Sequence, residues 1–361
     1  MDLFRKTLNQ IIDGIEHLDA GWHEKARQRT GRLVMPSRAL GRLHDISERL
    51  CAIRQTTHPA ITPKAVVVMA GDHGVVSDGV SAYPQEVTGE MIKTFINGGA
   101  GINVMARHVA AEIRVVDMGV IPEIDPQQLD AGDRLIVHKI AKGTANLSRG
   151  PAMTRVDAET AILTGFEVAA DLFDKGIQLL GTGDMGIGNT TSSAAIGAVV
   201  TGCNLKEMVG RGTGLDDEGL QRKIDVIQRA IAINRPDPTD GLDILSKIGG
   251  FEIGGIAGCI LAGAFYKRPV VIDGFISTAG ALIAGVLSPQ STAYLFAGHC
   301  SEEPGHRYML EHLELTPILD LGMRLGEGTG GALAMGIMEA AIKIFTEMQT
   351  FEEAGVTDKE K

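Results

Sequence analysis

The chain has 361 residues, 44% of them apolar, and a formal net charge of −11. That length exceeds one ordinary domain and suits a large core with a smaller companion. The acid excess, with no basic run, argues against nucleic acid or an anionic membrane surface as partner, so any phosphate is expected to be held locally by glycine loops and a few cations.

Cys51, Cys203, Cys259 and Cys300 are scattered, with no C-x-x-C pair, which fits reduced thiols in a cytoplasmic protein. The opening MDLFRKTLNQIIDGIEHLD is too polar for a signal peptide. Phe4, Leu8, Ile11, Ile12, Ile15 and Leu18 recur at helical spacing, as do Leu40, Leu43, Ile46, Leu50 and Ile53. The chain therefore opens with helices. THPAITP at 57–63 breaks that pattern, and AVVVM at 65–69 is a β-branched run suited to a strand buried on both faces. A boundary near Pro63 follows.

One unit then repeats: a short apolar run, a glycine-rich turn and a helical segment. The runs are AVVVM at 65–69, IRVVDM at 113–118, IQLLG at 177–181, VVIDG at 270–274 and AYLFAG at 293–298. This alternation predicts a doubly wound, mostly parallel α/β sheet, with ligands beyond the carboxyl ends of the strands. The glycine-rich apolar stretch at 254–265 is too short for a membrane span and reads as a buried helix. A last helix runs to about Met348 with Leu333, Ile337, Ala341, Ile344 and Phe345 on one stripe, returning toward the N-terminal helices, and FEEAGVTDKEK at 351–361 reads as a frayed tail.

The strand ends carry the polar residues. AGDHG at 70–74 reads as turn chemistry ahead of a metal pair, because adjacent Asp72 and His73 rarely chelate one ion. Tyr83, before a proline, is a candidate wall for an aromatic ligand, with buried core tyrosine as the alternative. GTGDMGIGNTT at 181–191 makes a plausible phosphate or ribose cradle, yet it is neither a Walker A loop nor a dinucleotide fingerprint. A second glycine loop, GRGTG at 210–214, precedes Asp216, a good N-cap, and Lys223, an isolated lysine that the loop makes a phosphate candidate. His299, Glu302 and His306 lack a usual zinc spacing and read as a polar loop at the mouth of the site, and Cys300 has no convincing base partner. Finally, GMRLGEGTGGAL at 322–333 sets Glu327 between glycines, behind Arg324 and ahead of a helix whose N-terminus is expected to offer free N–H groups to an anion. Taken alone, Glu327 is as readily a helix or turn cap as a general base.

Together AGDHGV, SAYPQEVT, GDMGIGNTTSSAA, GRGTGLDD, DGFIS, HCSEEPGH and RLGEGTGGALA resemble the nicotinate-nucleotide:dimethylbenzimidazole phosphoribosyltransferase family, in the same order over nearly the whole chain. The resemblance implies a large α/β domain at 63–331 and a small helical domain formed from both termini, 1–62 and 332–361. It also implies a homodimer acting on nicotinate mononucleotide and a benzimidazole, in cobalamin nucleotide-loop assembly, with no cofactor and no metal. It makes Glu327 the catalytic base. It places Tyr83, Glu90, Met185 and Leu325 at the base pocket, and Asp184, Gly186, Gly212, Lys223, Asp273, Ser301 and Arg324 around the phosphoribosyl group.

The chemistry agrees: nicotinate leaves from a pyridinium nitrogen and needs no acid, whereas the incoming benzimidazole must lose its N–H proton to a base. Two positions depart from the family pattern, Asp184 for glutamate and Glu90 for glutamine. An anion at Glu90 predicts a preference for a lower-ligand base that donates a hydrogen bond. A nucleosidase or phosphorylase acting at C1′ and a non-catalytic nucleotide-binding module are the rival readings.

Overall fold

The computed structural model describes residues 5–212 and 214–357, so residues 1–4, with the Phe4 of the first helical stripe, Thr213 and residues 358–361 fall outside the description. Six strands build one sheet: β1 (Lys64–Gly71), β2 (Ala111–Gly119), β3 (Leu135–Val137), β4 (Leu179–Met185), β5 (Val270–Ile272) and β6 (Leu295–Ala297). Every residue of β1 is buried, as its unbroken β-branched run requires of a strand covered on both faces. The strand order is β3-β2-β1-β4-β5-β6 and every pairing is parallel, so the sheet is wholly parallel rather than mostly so. The order reverses between β1 and β4. Connections leave that point toward opposite edges of the sheet, which opens a crevice at the carboxyl ends of those two strands.

Three elements differ from expectation for identifiable reasons. β3, missed in the sequence, is a three-residue edge strand whose burial falls from buried to exposed along LIV. β4 begins two residues later than its apolar run and continues through Gly181, Thr182, Gly183 and Asp184, residues that read as a loop. Those glycines serve close packing: a Cβ on Gly183 would overlap the Glu327 carbonyl oxygen, and one on Gly181 would press on Met335 Cε. In the last run Tyr294 sits in a 3₁₀ turn, fully buried, and its hydroxyl donates to the Glu16 carbonyl.

The 254–265 stretch lies in the helix Phe251–Phe265, of which all residues but the last are buried. It crosses the helix Arg155–Asp174 at glycines. A Cβ on Gly258 would collide with the Ile162 carbonyl, and one on Gly165 with the Gly255 carbonyl, so the two backbones touch. Among the described residues no helix is long and apolar enough to cross a membrane.

The ends of the chain meet. The first helix is only Leu8–Asp13, shorter than the apolar spacing suggested, and Gly14 caps it beneath the Phe265 ring. The helix Ala20–Thr30 packs on Arg42–Arg54 and on the C-terminal helix Thr329–Glu347 through a small separate cluster of Ala26, Cys51 and Phe345. Arg29 Nε donates to the Phe345 carbonyl (2.8 Å), and Val34 N to the Gln349 carbonyl (2.9 Å). The expected frayed tail is ordered at first: Thr350 and Glu353 form a capping box on a short helix, Phe351–Ala354.

Because the crossing at Gly258 leaves no room for a methyl group, Gly258→Ala is expected to cost about 1–3 kcal/mol by overpacking. Thermal unfolding should show a clearly lower midpoint, and an unchanged midpoint would contradict the close crossing.

Candidate active site

A cavity of about 700 Å³ opens beyond the carboxyl ends of β4, β5 and β6, with Tyr83, Val87 and Met91 from the segment after β1 along one side. Its floor is Glu327. This residue has a left-handed backbone (φ 64°) between Gly326 (80°) and Gly328 (95°), a conformation costing a non-glycine residue about 1–2 kcal/mol. The turn sends the side chain away from its own helix. Oε2 accepts from Ile102 N (3.0 Å) at the start of the helix Gly101–His108, while Oε1 accepts no hydrogen bond among the described residues. Glu327 is therefore a cap and a cavity carboxylate at once. It is only 6% exposed, and burial pushes its proton affinity above the ordinary carboxylate range; the Ile102 and Gly101 amides oppose the shift and nearby Asp273 adds to it.

The helix N-terminus after Glu327, expected to be free for an anion, is occupied from within. Asp273 Oδ2 accepts from Gly328 N (3.2 Å) and Oδ1 from Gly331 N (2.9 Å). Asp273 lines the cavity, but both its oxygens serve this helix. Burial raises its pKa, with His299 and the glycine amides pulling the other way.

Asp184, at the end of β4, is fully enclosed. Burial first, then Asp273, Glu252 and Glu327, hold its pKa well above the usual carboxylate range, against one hydrogen bond from Asn189 Nδ2 (3.0 Å). Its proton is therefore held more tightly than on an ordinary carboxyl group, and it stands in the cavity wall. Gly186 also lines the cavity, and it must be glycine because a Cβ would strike the Gly71 carbonyl at the end of β1.

The polar end of the cavity holds Thr190, Gly212 and Ser301. Lys223 stands one layer behind this wall. It is 1% exposed and its Nζ donates to Thr190 Oγ1 (2.8 Å) and the Gly210 carbonyl (3.4 Å), on the far side of the left-handed Gly212 (φ 54°). Burial pushes its pKa down to about 8, with Glu303 alone acting in the opposite direction. Asp216 caps the lysine's helix, Asp217–Asn234, as expected. Ser301 N donates to His306 Nδ1 (2.8 Å), which leaves the His306 Nε2 proton for Thr278 Oγ1 (2.9 Å). Burial drives His306 down to about 3, so it stays neutral.

The apolar end is formed by Met185, Val87, Met91, Phe275 and Ile276, with Tyr83 (53% exposed) and Leu325 (60% exposed) on the rim beside the exposed Arg324. Glu90 does not join them. Val87 and Met91 turn one face of the helix Val87–Ile96 to the cavity, and Glu90 lies on another, beside a second cavity with Gln85, Glu86 and Lys93. The expected effect of Glu90 on base preference loses its structural basis.

His73 has a structural role, as expected, whereas His299 and His306 lie elsewhere than the sequence suggested. His73 Nε2 meets Glu252 Oε1 (2.6 Å) and its Nδ1 meets Ser192 Oγ (3.1 Å), all fully buried, so the pair Asp72 and His73 braces the fold behind the cavity. His299 and His306 are buried rather than at a polar mouth, and His299 lines the cavity with Nε2 3.7 Å from Asp273 Oδ1. No cluster of metal-ligating side chains occurs among the described residues. Sequence reasoning missed Thr190, Asn189, His299 and Glu303 as cavity residues, although each stands inside a motif it had singled out.

Two buried carboxyl groups of raised proton affinity, one of them on a left-handed turn, and a small polar pocket beyond the carboxyl ends of parallel strands suit group transfer on a phosphorylated sugar. A family model described as phosphoribosyltransferase matches residues 15–356. Nicotinate-nucleotide–dimethylbenzimidazole phosphoribosyltransferases from Geotalea uraniireducens and Geobacter sulfurreducens are 50% and 51% identical, the alignments covering 98% and 97% of this chain and 99% and 98% of theirs. The crystal structure of the Thermus thermophilus enzyme of that name superposes with a TM-score of 0.88 at 45% identity, covering 94% of this chain and all of the other. The chain belongs to the nicotinate-nucleotide:dimethylbenzimidazole phosphoribosyltransferase family.

Lys223 yields a stability test. Below about pH 8 the lysine is charged in both folded and unfolded chains, and folding bears the cost of burying that charge. Between about pH 8 and a free lysine's pKa of about 10.4, the folded chain sheds the proton first and the cost fades. Lys223→Met should melt above the wild type at pH 7, with the gap narrowing near pH 9.5. A lower midpoint for the variant at pH 7 would contradict this.

Proposed function

We propose that the chain transfers the 5-phosphoribosyl group of nicotinate mononucleotide to a benzimidazole, 5,6-dimethylbenzimidazole or a close analogue, with Glu327 as general base. The observation that carries the reading is the Glu327 carboxylate: one oxygen is tied to a helix N-terminus, and the other takes no hydrogen bond at the floor of a cavity with one apolar and one polar end. The phosphate would rest against Thr190, Gly212 and Ser301, with the Lys223 charge behind them. The acceptor base would lie among Met185, Leu325 and Tyr83.

In the reaction the acceptor ring nitrogen attacks C1′ from the face opposite nicotinate. The C1′–N bond breaks with its electron pair moving onto the pyridine nitrogen, and nicotinate departs without needing a proton. The acceptor's N–H proton passes to Glu327, and inversion gives the α-riboside, α-ribazole 5′-phosphate. Burial raises the proton affinity of Glu327 and so makes it a stronger base than an exposed carboxylate. Burial and the neighbouring carboxylates raise the proton affinity of Asp184, which disfavours a second negative charge beside the leaving group. The enclosing walls limit the water that would otherwise hydrolyse an oxocarbenium-like transition state.

Asp273 and Gly186 act in this scheme by shaping the site, and Arg324, exposed at the cavity rim, is placed to meet an anionic group of an entering substrate. The packing of the terminal helices around Phe345 supports a small terminal domain beside the α/β domain. A homodimer in the cytoplasm completes the proposal; the exposed apolar rim at Tyr83, Leu321 and Leu325 is consistent with a partner surface nearby.

A chromatographic assay with nicotinate mononucleotide and dimethylbenzimidazole should give nicotinate and α-ribazole phosphate together. Glu327→Gln should lower kcat by about 10²–10⁴ with folding intact. Since Glu327 must be ionised to act, wild-type kcat should fall as pH drops through a value above the ordinary glutamate range of about 4.3. Full activity in Glu327→Gln would remove the base, and nicotinate release without an acceptor would favour a nucleosidase.

A further inference from the structure

Glu303 is the cavity carboxylate to which the reaction above gives no work. Its main chain is fixed: the backbone N–H donates to Ser301 Oγ (3.4 Å) and the carbonyl accepts from His306 N (3.0 Å). The side chain is 9% exposed and lines the polar end of the cavity beside Thr190, Gly212 and Ser301. Among the described residues its carboxylate has no partner. Oε2 is buried with no donor, packed against Gly210 so closely that a Cβ there would overlap it, and no ion pair forms with Lys223, whose Nζ is engaged by Thr190 and Gly210. An unsatisfied buried acceptor costs about 1–3 kcal/mol and more when charged, so a carboxylate kept in this state at a substrate cavity calls for a donor from the ligand.

The ligand's chemistry narrows which donor that is. A nicotinate nucleotide presents acceptors at its phosphate and its carboxylate, and its pyridinium ring has no N–H. Its stable donors are the 2′ and 3′ hydroxyls of the ribose. The acceptor base brings one N–H, which Glu327 takes. Of the other cavity carboxylates, Asp273 spends both oxygens on Gly328 and Gly331, and Asp184 already spends Oδ2 on Asn189. The hydroxyls of Ser301 and Thr190 already accept from Glu303 N and Lys223 Nζ. Glu303 is the remaining carboxylate, and it stands at the phosphate end, where the ribose must attach.

We propose that Glu303 is a ribose-recognition residue that accepts a hydrogen bond from one of the vicinal ribose hydroxyls of the donor nucleotide and so selects ribonucleotides over deoxyribonucleotides. The inference rests on the functional reading above.

The test is a cycle of kcat/KM values for wild type, Glu303→Gln and Glu303→Leu with nicotinate mononucleotide and its 2′-deoxy and 3′-deoxy forms, at fixed dimethylbenzimidazole. Removing a hydroxyl alters the intrinsic lability of the C1′ bond equally for all three proteins, so that effect cancels between them. Wild type should favour the ribonucleotide over one deoxy form by a factor about 10–100 larger than Glu303→Leu does. Glu303→Gln, which keeps a neutral acceptor, should fall between. Equal losses for the variants with all three donors would assign Glu303 a purely structural role and overturn the proposal. The same cycle in Kd, measured by calorimetry without acceptor, reads the contact independently of turnover. Failure of the wild type to turn over nicotinate mononucleotide would overturn the functional reading, and parallel Kd losses would overturn the Glu303 contact.

Discussion

The site depends on one close approach: the backbone of Glu327 runs against β4 at Gly183, where no Cβ fits. From this contact the neighbouring features follow. Glycines within β4 leave room for the second chain. Left-handed φ values at Gly326, Glu327 and Gly328 let that chain turn sharply enough to enter a new helix. The strain on Glu327 is held by Asp273, which ties down the amides of Gly328 and Gly331, and by the bond from Glu327 Oε2 to Ile102 N. One helix N-terminus thus holds the Glu327 carboxylate and another, tied to Asp273, holds the turn that carries it, so the catalytic group is preorganised by backbone amides.

The same arrangement explains how an acidic chain collects several carboxylates around an anionic substrate. Each negative charge is handled differently. Asp273 is satisfied by backbone amides, Glu327 shares the N-terminus of the helix Gly101–His108, and Asp184 has its proton affinity raised by burial and by its carboxylate neighbours. Lys223 is the converse case, a cation whose burial weakens its hold on its proton. Titratable groups displaced in opposite directions around one cavity are the mark of a site arranged for chemistry rather than stability.

Much of this was legible in the residues. The five apolar strand runs, the buried glycine-rich helix over 254–265 and the N-cap at Asp216 could be read from periodicity and cap chemistry, and the resemblance added the base at Glu327. What escaped has physical causes. β3 is too short to show a period. The glycines of β4 signal a backbone that arrives from 140 or more positions further along the chain, which local pattern cannot show, so a strand looked like a loop. Glu90 and Met91 are adjacent in sequence but face different cavities, because neighbours on a helix point about 100° apart. The free N-terminus expected after Glu327 was taken by Asp273, a pairing fixed only by the tertiary fold.

The central claim is that one cavity holds the phosphoribosyl donor at its polar end and the acceptor nitrogen at residue 327. A crystal structure of the Glu327→Gln protein with nicotinate mononucleotide and dimethylbenzimidazole tests it directly. The account predicts the phosphate against Thr190, Gly212 and Ser301, and a benzimidazole ring nitrogen within about 3 Å of the side chain at 327. A benzimidazole bound with both nitrogens turned away from that side chain, or a phosphate seated elsewhere, would contradict it.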